Sequence, residues 1–118
     1  MSQECIVLSS SIVSIADQKY QIERTKRILD GNRIPFTEID CSLEENRATR
    51  DRYFEVSGVR GNYPQVFLQS ADGTDIKYVG SSAEIEQLNE MSDVPQEIID
   101  ANNLQTMRSI FAGVPKRQ

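Results

Sequence analysis

Histidine is absent from the 118-residue sequence, and this absence limits the available chemistry more than any other count. Histidine is the usual general base near neutral pH and the commonest metal ligand in proteins. The two cysteines, Cys5 and Cys41, lie far apart along the chain, so their spacing matches neither a zinc site nor a redox pair. We therefore expect no metal site and no histidine-dependent catalysis.

The sequence also lacks the features that indicate a membrane or a nucleic-acid partner. No apolar run approaches the roughly 20 residues that span a bilayer. The first residues show neither a secretory leader nor a lipidation signal. Basic residues are outnumbered 13 to 18, the net charge is −5, and no basic cluster stands out. Because binding to phosphates needs such a cluster, we expect neither nucleic acid nor membrane as a partner.

What remains is the composition of one packed domain. Hydrophobic residues make up 38% of the chain and charged residues 26%, which is ordinary for a globular protein of this length. Without a leader the default compartment is the cytoplasm, where thiols stay reduced. We expect a cytoplasmic protein, and its small size leaves association with the cytoskeleton or presence in the nucleus open.

Hydrophobic patterning predicts alternating strands and helices in the first half of the chain. A short buried strand is expected at residues 4–9, a helix at about 16–30 and a second strand at 34–40. Ser42 followed by Glu45 is a capping-box pattern, which predicts that a second helix begins there.

The second half predicts a hairpin followed by helices. A third strand is expected at residues 63–68, and Asp72-Gly73 supplies the turn to an antiparallel strand at 75–79. A second capping box, Ser81 with Glu84, opens the next helix. A last helix is expected at about 96–111.

Several segments of the sequence, in this order and spacing, resemble the SH3-domain-binding glutamic-acid-rich protein family, a glutaredoxin-like branch of the thioredoxin superfamily. The first strand runs into Ser9–Ser11, where redox members have cysteines. The helix-to-strand junction at 27–36, the helix start at 44–47 and the strand start at 62–67 are similar to that family, with a weaker likeness at 110–114.

The resemblance implies an α/β, thioredoxin-like fold of the glutaredoxin type, with a four-stranded mixed sheet flanked by helices and an extra C-terminal helix. Residues 1–92 would form the glutaredoxin-like domain, and 93–118 a helical extension packed on it or projecting from it. The family is named for a proline-rich SH3 ligand near the third strand. This chain has only Pro64 there, whereas SH3 grooves read P-x-x-P, so SH3 domains are doubtful partners.

The resemblance also implies a ligand cleft. Serines stand at the start of the first helix, where a thiolate would be needed for thiol transfer, and a hydroxyl does not attack disulfides. The proline before the third strand would be cis, and its neighbour would offer backbone to a peptide or to glutathione. The turn before the next helix would hold a carboxylate, although helix capping alone explains Ser81 and Glu84. The implied cleft residues are Ser10, Ser11, Ser14, Tyr63, Pro64, Gly80, Ser81 and Ser82.

Two further groups of residues are candidates for function. Cys41 is the better candidate for a reactive thiol because it precedes a predicted helix start, although a buried structural cysteine is the more frequent case. Apolar residues in the last helix exceed what one packed face needs, which favours partner docking through Ile99, Leu104 and Phe111. The charged segment 44–52 is read as a solvated face, with docking as the alternative.

We expect a non-catalytic glutaredoxin-like protein that acts as a small protein-interaction adaptor or as a structural subunit of a complex. It is not expected to be an enzyme or to need a cofactor, and its partners are expected to be proteins. The alternative is a glutathione-binding protein or a thiol–disulfide oxidoreductase, which only the resemblance supports.

Overall fold

The computed structural model describes residues 2–12 and 16–117. Two short 3₁₀ turns, Glu44–Asn46 and Met91–Asp93, accompany the regular elements. Across the described residues, no helix combines the length and apolar character needed to cross a membrane. Strands β1 to β4 span Gln3–Ser9, Phe36–Asp40, Gln65–Ser70 and Ile76–Gly80, and helices α1 to α5 span Ala16–Gly31, Arg47–Ser57, Ser82–Glu90, Gln96–Asn102 and Met107–Ile110.

The four strands of the described residues form one mixed sheet in the order β2-β1-β3-β4. Strand β1 pairs parallel with β2 and antiparallel with β3, and β3 pairs antiparallel with β4. The crossover through α1 allows the parallel pair, since a parallel connection needs about a dozen residues or more. The predicted α/β class is confirmed: a four-stranded mixed sheet flanked by helices, compatible with a thioredoxin-like fold.

The core lies on both faces of the sheet, and β1 is therefore buried on both sides. Successive side chains of a strand point to opposite faces, so a strand covered twice reads as a continuous apolar run. Cys5 and Val7 belong to one hydrophobic cluster, and Ile6 and Leu8 to the other. Helices α1 and α3 cover the first face through residues that include Ile28, Leu29 and Ile85, and α2 covers the second through Tyr53 and Phe54.

The start of α2 differs from the expectation. The hydroxyl of Ser42 donates to the Asp40 carboxylate instead of capping the following turn, and Leu43 occupies the cap position of the 3₁₀ turn. The capping box predicted at Ser42 is therefore wrong, since a charged acceptor two residues earlier takes the hydroxyl. The second capping box is confirmed: the N–H and the hydroxyl of Ser81 both donate to the Glu84 carboxylate.

The single last helix expected at 96–111 is also wrong. Helix α4 ends at Asn102, because Asn103 adopts a left-handed conformation with φ 52°. Asparagine tolerates this conformation at helix ends. A separate short helix, α5, begins after Thr106, whose side chain accepts the N–H of Ser109.

The final segment of the chain packs into the first hydrophobic cluster. Met107, Phe111 and Val114 are buried there. The Gln3 N–H donates to the Gly113 carbonyl at 2.7 Å, which ties this segment to the start of β1. These contacts make the residues around α5 part of the fold's interior.

Candidate functional site

The strand directions bring the predicted cleft segments to one end of the sheet. Strands β1, β2 and β4 run in the same direction and β3 runs against them, so the ends of three strands and the start of β3 share one edge. We call this edge the serine edge, and it comprises Ser9–Ser11, Asp40–Ser42, Tyr63–Pro64 and Gly80–Ser82.

Asp40 organises the part of the serine edge formed by β1 and β2. Its Oδ1 accepts the Ser11 N–H at 3.1 Å, the Ser42 N–H at 3.0 Å and the Ser42 hydroxyl at 2.6 Å. The hydroxyls of Ser11 and Ser42 lie 2.9 Å apart. Burial alone would raise the pKa of Asp40, but the hydrogen bonds from Ser42 and Ser11 outweigh it and hold that pKa at about 2. The carboxylate is thus ionised, and its Oδ1 already accepts three hydrogen bonds.

Ser10 lies beside this cluster, in a hollow of about 250 Å³ between the end of β1 and α1. Most of the side chains that line it are of polar type. Ser9 donates its hydroxyl to Glu38 at 2.7 Å, and Lys26, outside the lining, contacts the same carboxylate at 3.1 Å. The predicted cleft residue Ser14 lies outside the described residues. The hollow is therefore a small charged surface depression whose three carboxylates, Glu23, Glu38 and Asp40, already have partners.

Cys41 lies at the serine edge but is closed off from solvent. It is 1% exposed, and its Sγ lies 3.7 Å from the Ile39 carbonyl oxygen. Burial raises the pKa of Cys41 to about 11, against weaker lowering effects of the Tyr63 hydroxyl and the Arg50 charge. Burial likewise raises the pKa of Cys5 to about 12. Since the thiolate is the nucleophile, these properties favour a structural role for both cysteines.

The start of β3 has the geometry that the resemblance implies. The peptide bond between Tyr63 and Pro64 is cis, and both side chains are buried. The next residue, Gln65, is 1% exposed and donates its amide to the carbonyls of Val59 and Asn62, at 3.1 and 2.8 Å. Gln65 thus fixes the loop that leads into the cis bond.

The turn before α3 is occupied by the chain's own carboxylate. Glu84 Oε1 accepts the Ser81 N–H at 3.0 Å, and Ser82 is buried. A Cβ added at Gly80 would lie 2.5 Å from the Cβ of Glu84, so the glycine allows this close approach. The capping interpretation accounts for these contacts, because Glu84 fills the place where a ligand carboxylate would meet the Ser81 amide.

The predicted docking residues of the C-terminal segment separate into two kinds. Phe111 is 1% exposed and lies in the core, so it offers no surface, and the docking prediction is corrected at this residue. Ile99 and Leu104 are half-buried and together line a hollow beside α4. They remain accessible to a partner.

Sequence reasoning missed the two polar residues that hold the serine edge together, Asp40 and Gln65. The spacing of Asp40 and Ser42 carries a local signal, since a short acidic side chain often accepts hydrogen bonds from the residue two positions later. Gln65 carries no such signal: it reads as one polar residue in an apolar strand, and its role depends on a loop that the sequence does not place.

Neither protein-family profiles nor curated protein sequences match the chain. Among solved structures, the chain is similar to wild-type actin interacting protein 5, with a TM-score of 0.57 and 21% sequence identity. The similarity covers 76% of this chain and 85% of that chain. At this level of identity it shows a common fold and no more.

Proposed function

We propose that the chain is a redox-inactive, glutaredoxin-like protein that works by binding another protein, as an adaptor or as a structural subunit. One observation carries the proposal: the serine edge presents Ser11 and Ser42, both hydrogen-bonded to Asp40, while Cys5 and Cys41 are buried with raised pKa values. Disulfide exchange needs an accessible thiolate. We infer that a protein with this fold and no accessible thiolate acts by binding other molecules through its surface.

We further propose that the chain is a divergent member of the SH3-domain-binding glutamic-acid-rich family. Support comes from the mixed four-stranded sheet and from Ser9–Ser11 at the place of the redox cysteines. The substitution of serine for cysteine in such a member is consistent with a binding role.

Actin is the first partner to test. The structural neighbour is named as an actin-interacting protein, and it aligns with most of this chain. We propose that the chain acts in the cytoplasm, in contact with actin or with proteins bound to it. This assignment depends on a likeness of fold, so it requires a direct binding measurement.

The test uses the full chain and a cysteine-free variant, Cys5→Ala/Cys41→Ala, each titrated with monomeric actin by anisotropy and sedimented with actin filaments. We expect both proteins to bind with the same affinity, because no thiol takes part. Thermal unfolding checks that the variant is folded. If neither protein bound either form of actin, actin would be excluded as the partner. Binding by the original chain alone, lost with a reducing agent, would contradict the thiol-independent mechanism.

Glutathione binding without turnover is the second candidate function. It is favoured by the strand directions, which gather Ser10, Tyr63–Pro64 and Gly80–Ser82 at one edge. Backbone amide NMR during a glutathione titration distinguishes the two candidates. Localised, saturable shifts at these residues would support a ligand cleft, and their absence at millimolar glutathione would leave protein binding as the function.

A further inference from the structure

Helix α4 makes hydrogen bonds only within its own stretch of the chain. It lies in residues 94–105, which we call the α4 strap and which connect the 3₁₀ turn Met91–Asp93 to α5. Across the described residues, 2–12 and 16–117, every hydrogen bond of the strap ends within 91–105, and none of its carboxylates forms a salt bridge. Side-chain packing is therefore what holds the strap against the rest of the fold.

The packing of the α4 strap is sparse. No residue of α4 is buried, and within the strap only Val94, Ile99 and Leu104 are half-buried. Ile99 lines two separate hollows, of about 570 and 210 Å³, so its contacts with the body of the fold are incomplete. A helix of seven residues is too short to be stable in water without tertiary contacts. The helical state of α4 therefore depends on the contacts of Ile99 and its two half-buried neighbours.

Both ends of α4 are non-helical. Pro95 occupies the N-cap position and makes no side-chain cap hydrogen bond. Asn103 ends the helix with φ 52°, a left-handed conformation that glycine adopts with less strain than any other residue. Residues 104–106 then lead to α5 without regular structure. Hinges in proteins are a few residues at the ends of elements, so the strap has a hinge position on each side of α4.

The α4 strap separates three hollows that share their apolar walls. Ile99 lines the smallest hollow together with Leu88, Met91 and Met107. Leu88 and Met91 also line a groove of about 410 Å³ between β4 and α3, and Leu104 lines both that groove and the hollow of about 570 Å³. Moving the strap away would therefore join the three hollows into one apolar groove along α3 and α5.

We propose that the α4 strap opens as one local unit while the sheet and the other helices stay folded, and that it thereby controls access to the apolar groove beneath it. In the closed state Ile99 of the same chain fills part of that groove. Segments with few buried apolar contacts and exposed backbone hydrogen bonds are the ones that open locally in native proteins. The inference goes beyond the proposed function, since it concerns a conformational equilibrium of the chain itself and holds for any partner.

Amide hydrogen exchange of the full chain, followed by NMR, tests the local opening. After correction for intrinsic rates, we expect the amides of residues 99–102 to exchange at least about a hundredfold faster than those of residues 6–8 in β1. Low concentrations of urea should accelerate exchange in β1 and leave α4 nearly unchanged, because a local opening exposes little surface. Equal protection of the two sets, or a shared response to urea, would overturn the inference. Complete lack of protection at 99–102 would also overturn it, since the strap would then have no closed state.

Neighbouring isoleucines of α4 provide a matched pair of variants, because Ile99 is half-buried and Ile98 is exposed. We expect Ile99→Ala to accelerate exchange at residues 100–102 by at least about fivefold and Ile98→Ala to change it by less than about twofold, with β1 unaffected by either. Asn103→Gly should slow the same amides by about threefold, because glycine adopts the left-handed conformation without strain. Equal effects of the two alanine variants, or faster exchange in Asn103→Gly, would contradict the hinged strap.

A thiol probe tests whether opening uncovers the groove. Met107, which is 7% exposed, is replaced as Met107→Cys in the Cys5→Ala/Cys41→Ala background, and its reaction with iodoacetamide is followed by mass spectrometry. Adding Ile99→Ala should accelerate the reaction by about fivefold, in step with amide exchange, and adding Ile98→Ala should leave it unchanged. A reaction rate that does not respond to Ile99→Ala would show that the strap does not cover the groove. Thermal unfolding checks that the probe variant is folded, and if it is not, amide exchange decides the inference.

Discussion

Asp40 shows how a single side chain determines the chemistry of the serine edge. It accepts two N–H groups and one hydroxyl, and its carbonyl oxygen also accepts the Asn46 amide at 3.0 Å. The Ser42 hydroxyl is therefore held by the carboxylate and the Ser11 hydroxyl by the Ser42 hydroxyl, so neither faces an incoming ligand freely. The same bonds connect the end of β1 to the end of β2.

These bonds predict a specific pH dependence for Asp40→Asn. The pKa of Asp40 in the folded protein is about 2, below the roughly 3.9 of an unfolded aspartate. A lowered pKa means that the carboxylate stabilises the fold above about pH 4 and loses this effect as the pH falls through about 2. We expect the free energy of unfolding of the variant to be about 1 kcal/mol lower at pH 7, and this difference to shrink toward zero as the pH falls through about 2. Urea unfolding between pH 2 and pH 7 measures this difference in unfolding free energy, and Asp75→Asn is the control for the removal of a charge. A loss of stability in Asp40→Asn that does not depend on pH would contradict the account.

Cys41 yields a second prediction at the residue scale. Because it is 1% exposed and its pKa is raised to about 11, we expect iodoacetamide to modify it slowly at pH 7.5 in the folded chain and rapidly in urea. Mass spectrometry of the intact protein follows both reactions. Rapid modification of Cys41 in the folded chain would show an accessible thiolate and would favour the oxidoreductase alternative.

At the scale of elements, local signals predicted some boundaries and missed others for identifiable reasons. The hairpin turn was predictable because Asp72 and Gly73 suit it, and Gly73 indeed has φ 77°. The break between α4 and α5 was not, because an asparagine at 103 is compatible with either a helix interior or a left-handed cap. The packing of the segment around α5 against the core favours the break over a continuous helix. The periodicity of the sequence does not contain that information.

The C-terminal segment predicts the largest stability effect. Phe111 is 1% exposed in the core, so Phe111→Ala should cost roughly 3–5 kcal/mol of unfolding free energy. Ile98→Ala is the control: Ile98 is 48% exposed, so a change within about 0.5 kcal/mol is expected. Urea unfolding measures the loss of unfolding free energy in both variants. If Phe111→Ala does not fold, Phe111→Leu replaces it, with an expected loss of about 1 kcal/mol. Equal, small effects at both positions would contradict the packing of this segment.

At the scale of the molecule, the fold was predictable to a greater extent than the site. The order of apolar segments and turns determines a mixed sheet, and strand directions then place Ser10, Tyr63 and Gly80 at one edge. Whether that edge is open depends on which side chains satisfy its donors. The spacing of Ser81 and Glu84 predicted one of these contacts, whereas the bond from the Ser11 N–H to Asp40 joins residues far apart in the sequence, which spacing does not indicate.

The most direct test of a redox-inactive protein is its rate of thiol–disulfide exchange with a glutathione mixed disulfide, measured beside the Cys5→Ala/Cys41→Ala variant. The account predicts that neither protein exceeds the uncatalysed rate, because the serine edge holds hydroxyls and both thiols are buried. Turnover by the original chain that disappears in the variant would contradict it.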